Sequence, residues 1–310
     1  MRFRPNGKMT SRRFAAVIVA AIVTSTMLAA LPAIAADAAP VRTSASTSVQ
    51  SARTVPKLVG WTASSAAAAL RSRGLAFTLI AADGSRVGTP SKWTVVKQTP
   101  SAGTQAKAST RVVLTVITTT AYVAQGVRSF YSQNYGTFAT ITKNGSGPTT
   151  ISFPSTVKSG IVTATFSGAG AFGIAELSTG NAATGRTLVN ASGPYAGSNA
   201  FGLATLKNAT TAIRVTGTGA WHITVAPISS APILGVPAAA TGDTVYLYSG
   251  LSATWTVSSP GPTTFMLNQI SSSSYPNLAV DESGNWAGRV AIQPGPSVVE
   301  IHSNGAWTIH

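Results

Sequence analysis

The 310-residue chain has no cysteine. That excludes disulfides, thiolate zinc sites and a lipid-modified N-terminal cysteine, and leaves core packing to hold the fold together. Acidic residues are scarce as well: seven Asp and Glu stand against 22 Lys and Arg, with three His, for a net charge of +15. A glycosidase needs two suitably placed carboxylates. Asp281-Glu282 is the nearest approach to such a pair, but neighbours on a strand point to opposite faces. Backbone carbonyls beside Asp281 offer a weak calcium site at most. His222, His302 and His310 have no second histidine or carboxylate at metal-ligand spacing, and His222 and His302 read as exposed strand residues. No Gly-x-Ser-x-Gly elbow, phosphate loop or dinucleotide fingerprint is present. The expectation is a protein that is not an enzyme and uses no metal or cofactor.

Charged residues make up only 9% of the chain and apolar ones 44%, which argues against wholesale disorder and allows two or three cores. The first forty residues carry an export pattern. Arg2, Arg4, Lys8, Arg12 and Arg13 precede and flank an apolar run over 14–31, Pro32 breaks it, and Ala33-Ile34-Ala35 is a small-x-small cleavage site. Residues 1–35 are expected to be a signal peptide cut after Ala35, or alternatively after Ala38, with no stable membrane insertion afterwards. The competing reading of the apolar run is an uncleaved anchor. Ser11-Arg12-Arg13 leaves Sec and twin-arginine export both open. Residues 36–53, rich in Ala, Ser and Thr, read as a flexible linker.

The most structured signal runs over 54–117. Pro56 biases Val55 to an extended conformation, Gly60 supplies a turn, and Thr62 can cap an Ala-rich helix anchored by Leu70. Gly74 sits where a left-handed helix end is wanted. Strands follow at 75–80, 93–98 and 111–116, with a Pro-then-Gly turn at Gln98-Thr99-Pro100-Ser101-Ala102-Gly103-Thr104. Val55-Pro56, Gly60, Leu70, Gly74-Leu75, Gln98-x-Pro100-x-x-Gly103-Thr104 and the closing 112–116 strand resemble a PASTA domain, the module named for penicillin-binding proteins and serine/threonine kinases. The resemblance implies a small α+β domain over 54–118, with one helix and a three-stranded sheet. It also implies association with the bacterial cell wall, where some members bind peptidoglycan fragments and others act as spacers.

Beyond it, 121–310 is rich in Gly, Ser, Thr and short β-type runs, with no long amphipathic helix recognised, and reads as all-β. It contains a repeat. The segment 211–224 aligns without gaps on 297–310, Gly193-Pro194-Tyr195-Ala196-Gly197 on Gly284-Asn285-Trp286-Ala287-Gly288, Ser159-Gly160 on Ser249-Gly250, and Phe172 on Phe265. Asp281 and Glu282 then fall on Asn190 and Ala191, so the repeat does not need carboxylates there. Two tandem β-sandwich domains are expected, at 121–229 and 231–310. A three-residue loop at Gly217-Thr218-Gly219 would make 211–224 a hairpin. Val215 would then lie opposite Trp221, Ile213 opposite Ile223 and Arg214 opposite His222, with Gly219 and Gly305 at positive φ. Trp221 and Trp307 read as core residues, Trp61 as packing within its own domain, and Tyr195 and Trp286 as packing residues. These modules resemble tandem sandwiches ending in Gly-x-Trp-x-Ile in secreted proteins of Gram-positive bacteria.

Charge is unevenly spread. Without 1–35 the chain keeps 17 basic against seven acidic residues, and 54–117 alone holds eight basic residues against Asp83. A basic exported surface favours anionic partners. Peptidoglycan or another anionic wall polymer is the expected partner, and nucleic acid is not. Arg71 and Arg73 at the helix end, with Lys97 and Arg111 on the following strands, are the candidate binding residues. The expected function is a secreted, wall-associated protein. The alternative is an adhesin whose sandwich modules bind carbohydrate or protein while the PASTA-like domain is a spacer.

Overall fold

The computed structural model describes residues 52–107, 109–203, 209–261, 264–271 and 277–310. The export signal, its cleavage site and nearly all of the expected linker lie outside the described residues. The first domain comprises β1 (Arg53–Thr54), α1 (Ala63–Ser72), β2 (Ala76–Ala81), β3 (Trp93–Thr99), β4 (Gln105–Ala106) and β5 (Arg111–Thr118). Thr62 Oγ1 accepts from Ser65 N at 3.3 Å and caps α1. Ala63, Ala66, Ala67 and Leu70 recur at helical spacing and form its buried stripe. Gly74, at φ +59, ends it. β5 is the central strand, parallel to β2 and antiparallel to β3, and Val112, Leu114 and Val116 alternate inward to meet the helix. Gln98 closes the domain from β3: its side chain accepts from Leu58 N at 2.8 Å and donates to Pro56 O at 2.9 Å. One expectation fails here. Trp61 is 47% exposed and does not pack within the domain.

The chain does not loosen after this domain. Thr118 ends β5 and caps α2 (Thr119–Tyr135), its Oγ1 accepting from Ala121 N at 3.2 Å. This 17-residue helix occupies the stretch where the first sandwich was expected to begin and no long helix was recognised. Its apolar stripe is Val127, Phe130, Tyr131 and Tyr135, packed on both modules.

Two eight-stranded modules follow. The first contains β6 (Ile141–Gly145), β7 (Thr149–Ser152), β8 (Gly160–Phe166), β9 (Ala171–Leu177), β10 (Ala183–Ser192), β11 (Tyr195–Phe201), β12 (Ala212–Thr216) and β13 (Trp221–Ala226). The second contains β14 (Ala238–Thr241), β15 (Thr244–Tyr248), β16 (Ala253–Ser259), β17 (Thr264–Ser271), β18 (Asn277–Ser283), β19 (Trp286–Ile292), β20 (Ser297–Ser303) and β21 (Ala306–Ile309). Module 1 stacks the sheet β10-β9-β12-β7 on β11-β8-β13-β6, and module 2 repeats that order as β18-β17-β20-β15 on β19-β16-β21-β14. Numbered within a module, these are 5-4-7-2 and 6-3-8-1, the order of a jelly roll.

The topology overturns the expected hairpin. β12 pairs with β7 and β9, whereas β13 pairs with β6 and β8 in the opposite sheet. Segments 211–224 and 297–310 are therefore arches that cross the core. Ile213 and Val215 meet Trp221 and Ile223 across the sandwich rather than side by side. Inward alternation is identical for a hairpin and an arch, so the pattern does not discriminate. Gly217 and Gly219 do have positive φ, but Gly305 is not among the positive-φ glycines of the described residues. The repeat itself holds, with Phe172 and Phe265 at equivalent registers, as are Asn190 and Asp281. Gly160 pairs as Ala253 does, not as Gly250.

Trp221, Trp255 and Trp307 are buried in the module cores. Tyr195 packs on Phe172 and Trp286 stacks on Phe265, as expected. Between the modules a separate cluster joins Ile161, Ala200 and Leu203 of module 1 to Val245, Leu247, Ile270 and Val298 of module 2. Tyr131 of α2 completes it, its Oη lying 2.6 Å from Ser297 O and 3.0 Å from Tyr248 O.

Candidate functional site

The four cations singled out in the sequence are all exposed, and the structure gathers three of them around 71–78. The Arg71 guanidinium carbon lies 5.1 Å from the centroid of the Phe77 ring, a cation–π approach. Arg111 donates to Thr78 Oγ1 at 3.0 Å and to Phe77 O at 3.4 Å. Arg73 donates back to Ala69 O at 3.0 Å, where a cation also suits the carboxyl end of a helix. Lys97 stands apart on β3, opposite Thr115. Its register places it with Arg111 on the face of the sheet away from α1, because the opposite face carries Val112, Leu114 and Val116. The four do not share one face.

Arg53 joins this group and was missed, since the domain was expected to open at Thr54. Its Nη1 donates to Arg73 O at 2.7 Å and Gly74 O at 2.6 Å, satisfying carbonyls at the helix end. A Cβ on Gly74 would lie 1.8 Å from that same nitrogen. Gly74 thus serves both the left-handed turn and the close approach of Arg53. No local signal marks this contact, because Arg53 lies 20 and 21 residues upstream of the carbonyls it meets.

A second constellation lies between the modules, and the expected exposure of His302 is incorrect. Glu300 on β20 is 1% exposed; its Oε1 accepts from Ala200 N at 2.8 Å, and its Oε2 lies 3.2 Å from Arg186 Nη2 and 3.5 Å from His302 Nε2. Arg186 also approaches the buried Glu176 at 3.4 Å, and Thr210 donates to the other Glu176 oxygen. Burial raises the Glu176 pKa despite Arg186. Burial opposes ionisation of Glu300 too, but His302, Arg186 and the Ala200 N–H together hold its pKa below the usual value. For His302, burial is outweighed by Glu300 and Asp243, which raise its pKa. Asp243 binds the modules from the other side, accepting from Tyr195 Oη at 2.7 Å and Ser303 N at 2.9 Å. The missed signal was the adjacent pair Val298-Val299, together with the unbroken Val245-Tyr246-Leu247-Tyr248. Apolar residues on successive positions mean a strand buried on both faces. His222 is exposed as expected.

Glu176 and Glu300 are buried and engaged, and Asp281 and Glu282 are exposed neighbours on β18. Among the described residues no group of three or more His, Cys, Asp or Glu is placed to hold a metal ion, and no helix is long and apolar enough to cross a membrane.

The PASTA domain family model matches residues 53–118. No curated protein matches the sequence. Among solved structures, a chain from the atomic structure of Sulfolobus Turreted Icosahedral Virus is similar at 11% identity, covering 56% of this chain and 90% of that one, with a TM-score of 0.18, too low to bear on the fold. The matched span coincides with the α+β unit from β1 to β5. Residues 53–118 are a PASTA domain, a cell-envelope-associated module, and a strand-rich pair of modules follows it.

Proposed function

We propose that this is an exported, non-enzymatic protein of the cell envelope, whose basic PASTA domain associates with peptidoglycan or another anionic wall polymer. The observation that carries the reading is the grouping of Arg53, Arg71, Arg73 and Arg111 around the end of α1 and the start of β2, in a domain whose lone acid is Asp83. Exposed cations attract a polyanion over several ångströms without a shaped pocket. The two jelly rolls, locked together by α2 and the Arg186–Glu300 pair, are carried as one body beside it. Retention of the full chain on purified cell walls tests this. Such binding weakens as salt rises, because screening shortens from about 10 Å at 0.1 M to about 3 Å at 1 M. The combined variant Arg71→Gln, Arg73→Gln, Arg111→Gln is expected to lose most retention while keeping its melting temperature. Adding Lys97→Gln is expected to matter less. Retention indifferent to salt and to these changes would refute the reading.

A further inference from the structure

The two modules use one sheet face differently. In module 2 the outward residues Val245, Leu247, Val298 and Glu300 are buried between the modules. Matching registers put Thr150, Ser152, Ala212 and Arg214 at those positions in module 1. Thr150, Ser152 and Arg214 are exposed. The face that docks in one copy is thus polar and open in the other.

Further along the same sheet, Gly173, Ala175, Asn190, Arg214 and Thr216 form one side of a cleft of about 1170 Å³, whose other side is built from module 2 at 241–243 and 302–304. The floor is low because Gly173 and Ala175 stand where module 2 has Met266 and Asn268. Asn190 and Thr216 flank Gly173 on the neighbouring strands. The opposite side is held in place before any ligand arrives, since Asp243 is bonded to Tyr195 of module 1 and to the Ser303 backbone.

We infer that this cleft binds a short stretch of an uncharged, hydroxyl-rich glycan through the amide and hydroxyl groups of Asn190, Thr216 and Asn304. Thr216 Oγ1 already donates to Gly173 O at 3.3 Å and Asn304 Oδ1 accepts from Thr264 N at 2.8 Å, which leaves the Thr216 oxygen to accept, the Asn304 amide N–H to donate and Asn190 to do both, a mixed set that suits vicinal sugar hydroxyls. The volume slightly exceeds the 300–1,000 Å³ or so typical of small-molecule pockets, which suits an oligomer. Arg214 and His302 are the basic lining residues and Asp243 is the acidic one, so the cleft has no concentrated charge of one sign to select a polyanion. The inference goes beyond wall association and does not depend on it.

The test is calorimetric titration of the full chain with chitotetraose, cellotetraose and mannotetraose, beside a glycerol-phosphate oligomer as the anionic alternative. At least one neutral tetrasaccharide is expected to bind. Ala175→Trp, which fills the floor, and Thr216→Val, which keeps shape and removes the hydroxyl, are each expected to weaken it at least tenfold. Thr216→Val remains informative if Ala175→Trp disturbs folding. Binding of none of the three sugars, binding of the glycerol-phosphate oligomer alone, or affinity unchanged in Thr216→Val would overturn the inference. Wall retention measured on the same proteins reports separately on the PASTA domain, so either reading can fail without the other.

Discussion

Replacing Arg186 with Met is the sharpest perturbation of the module junction. Two carboxylates that are each 1% exposed meet this one guanidinium, Glu176 at 3.4 Å with no other cation paired with it among the described residues and Glu300 at 3.2 Å with His302 as a second partner. Taking away one partner of a buried pair leaves an uncompensated charge and costs about 3–5 kcal/mol. The Arg186 side chain is itself 21% exposed, so solvent softens the loss and the lower end, about 3 kcal/mol, applies. Met retains much of the aliphatic stem, which keeps the effect electrostatic rather than steric. Urea unfolding of the full chain at pH 7.5, followed by fluorescence of the buried Trp221, Trp255 and Trp307, measures it. The loss is expected to shrink at pH 5, because Glu176 already has a raised pKa and accepts a proton once the cation is gone. Adding Glu300→Gln to Arg186→Met is expected to recover part of the stability, since it removes one of the orphaned charges. A loss below about 1 kcal/mol at pH 7.5, or an equal loss at pH 5, would show that the pair does not work as described.

His302 has a folded pKa above its ordinary value, so its contribution is fully present below about pH 6.5 and is lost as pH rises through the folded value. The melting temperature is expected to fall between pH 6 and pH 8.5, and His302→Asn to remove most of that slope. Tyr131→Phe takes a buried donor from Ser297 O and Tyr248 O and is expected to cost about 1–3 kcal/mol in a thermal melt. Gly219→Val forces a side chain onto φ +148 with its Cβ 2.7 Å from Gly168 Cα, and is expected to cost at least about 1–3 kcal/mol. Gly305→Val, free of that backbone demand, is expected to melt closer to the parent.

What could be read from the sequence was what is encoded locally. Thr62 caps its helix, and Gly74 and Gly103 set turns, within a few residues of their own position, and the PASTA fold follows from such signals nearly element by element. Strand alternation likewise marked Ile213, Val215, Trp221 and Ile223 as inward. Alternation names a face, however, and not a partner, so the arch was taken for a hairpin. Helix α2 was missed because its stripe of Val127, Phe130, Tyr131 and Tyr135 is thin and its segment holds Gly126 and many polar or β-branched residues. The burial of Glu300 was not legible for a related reason. A carboxylate is expected outside unless a cation meets it, and Arg186 lies in the other module.

The arches also set an order of assembly. β6 has β13 as its sheet partner, and β14 has β21, so the first strand of each jelly roll pairs with the last. During synthesis the opening strand of a module therefore waits, unpaired along its length, until the Gly-Ala-Trp segment arrives and slides in beside it. Closing so long a loop is entropically expensive and slows folding. Until then the waiting edge is a template for a neighbouring chain, which makes the interval before β13 or β21 emerges the most aggregation-prone stage of this protein's life.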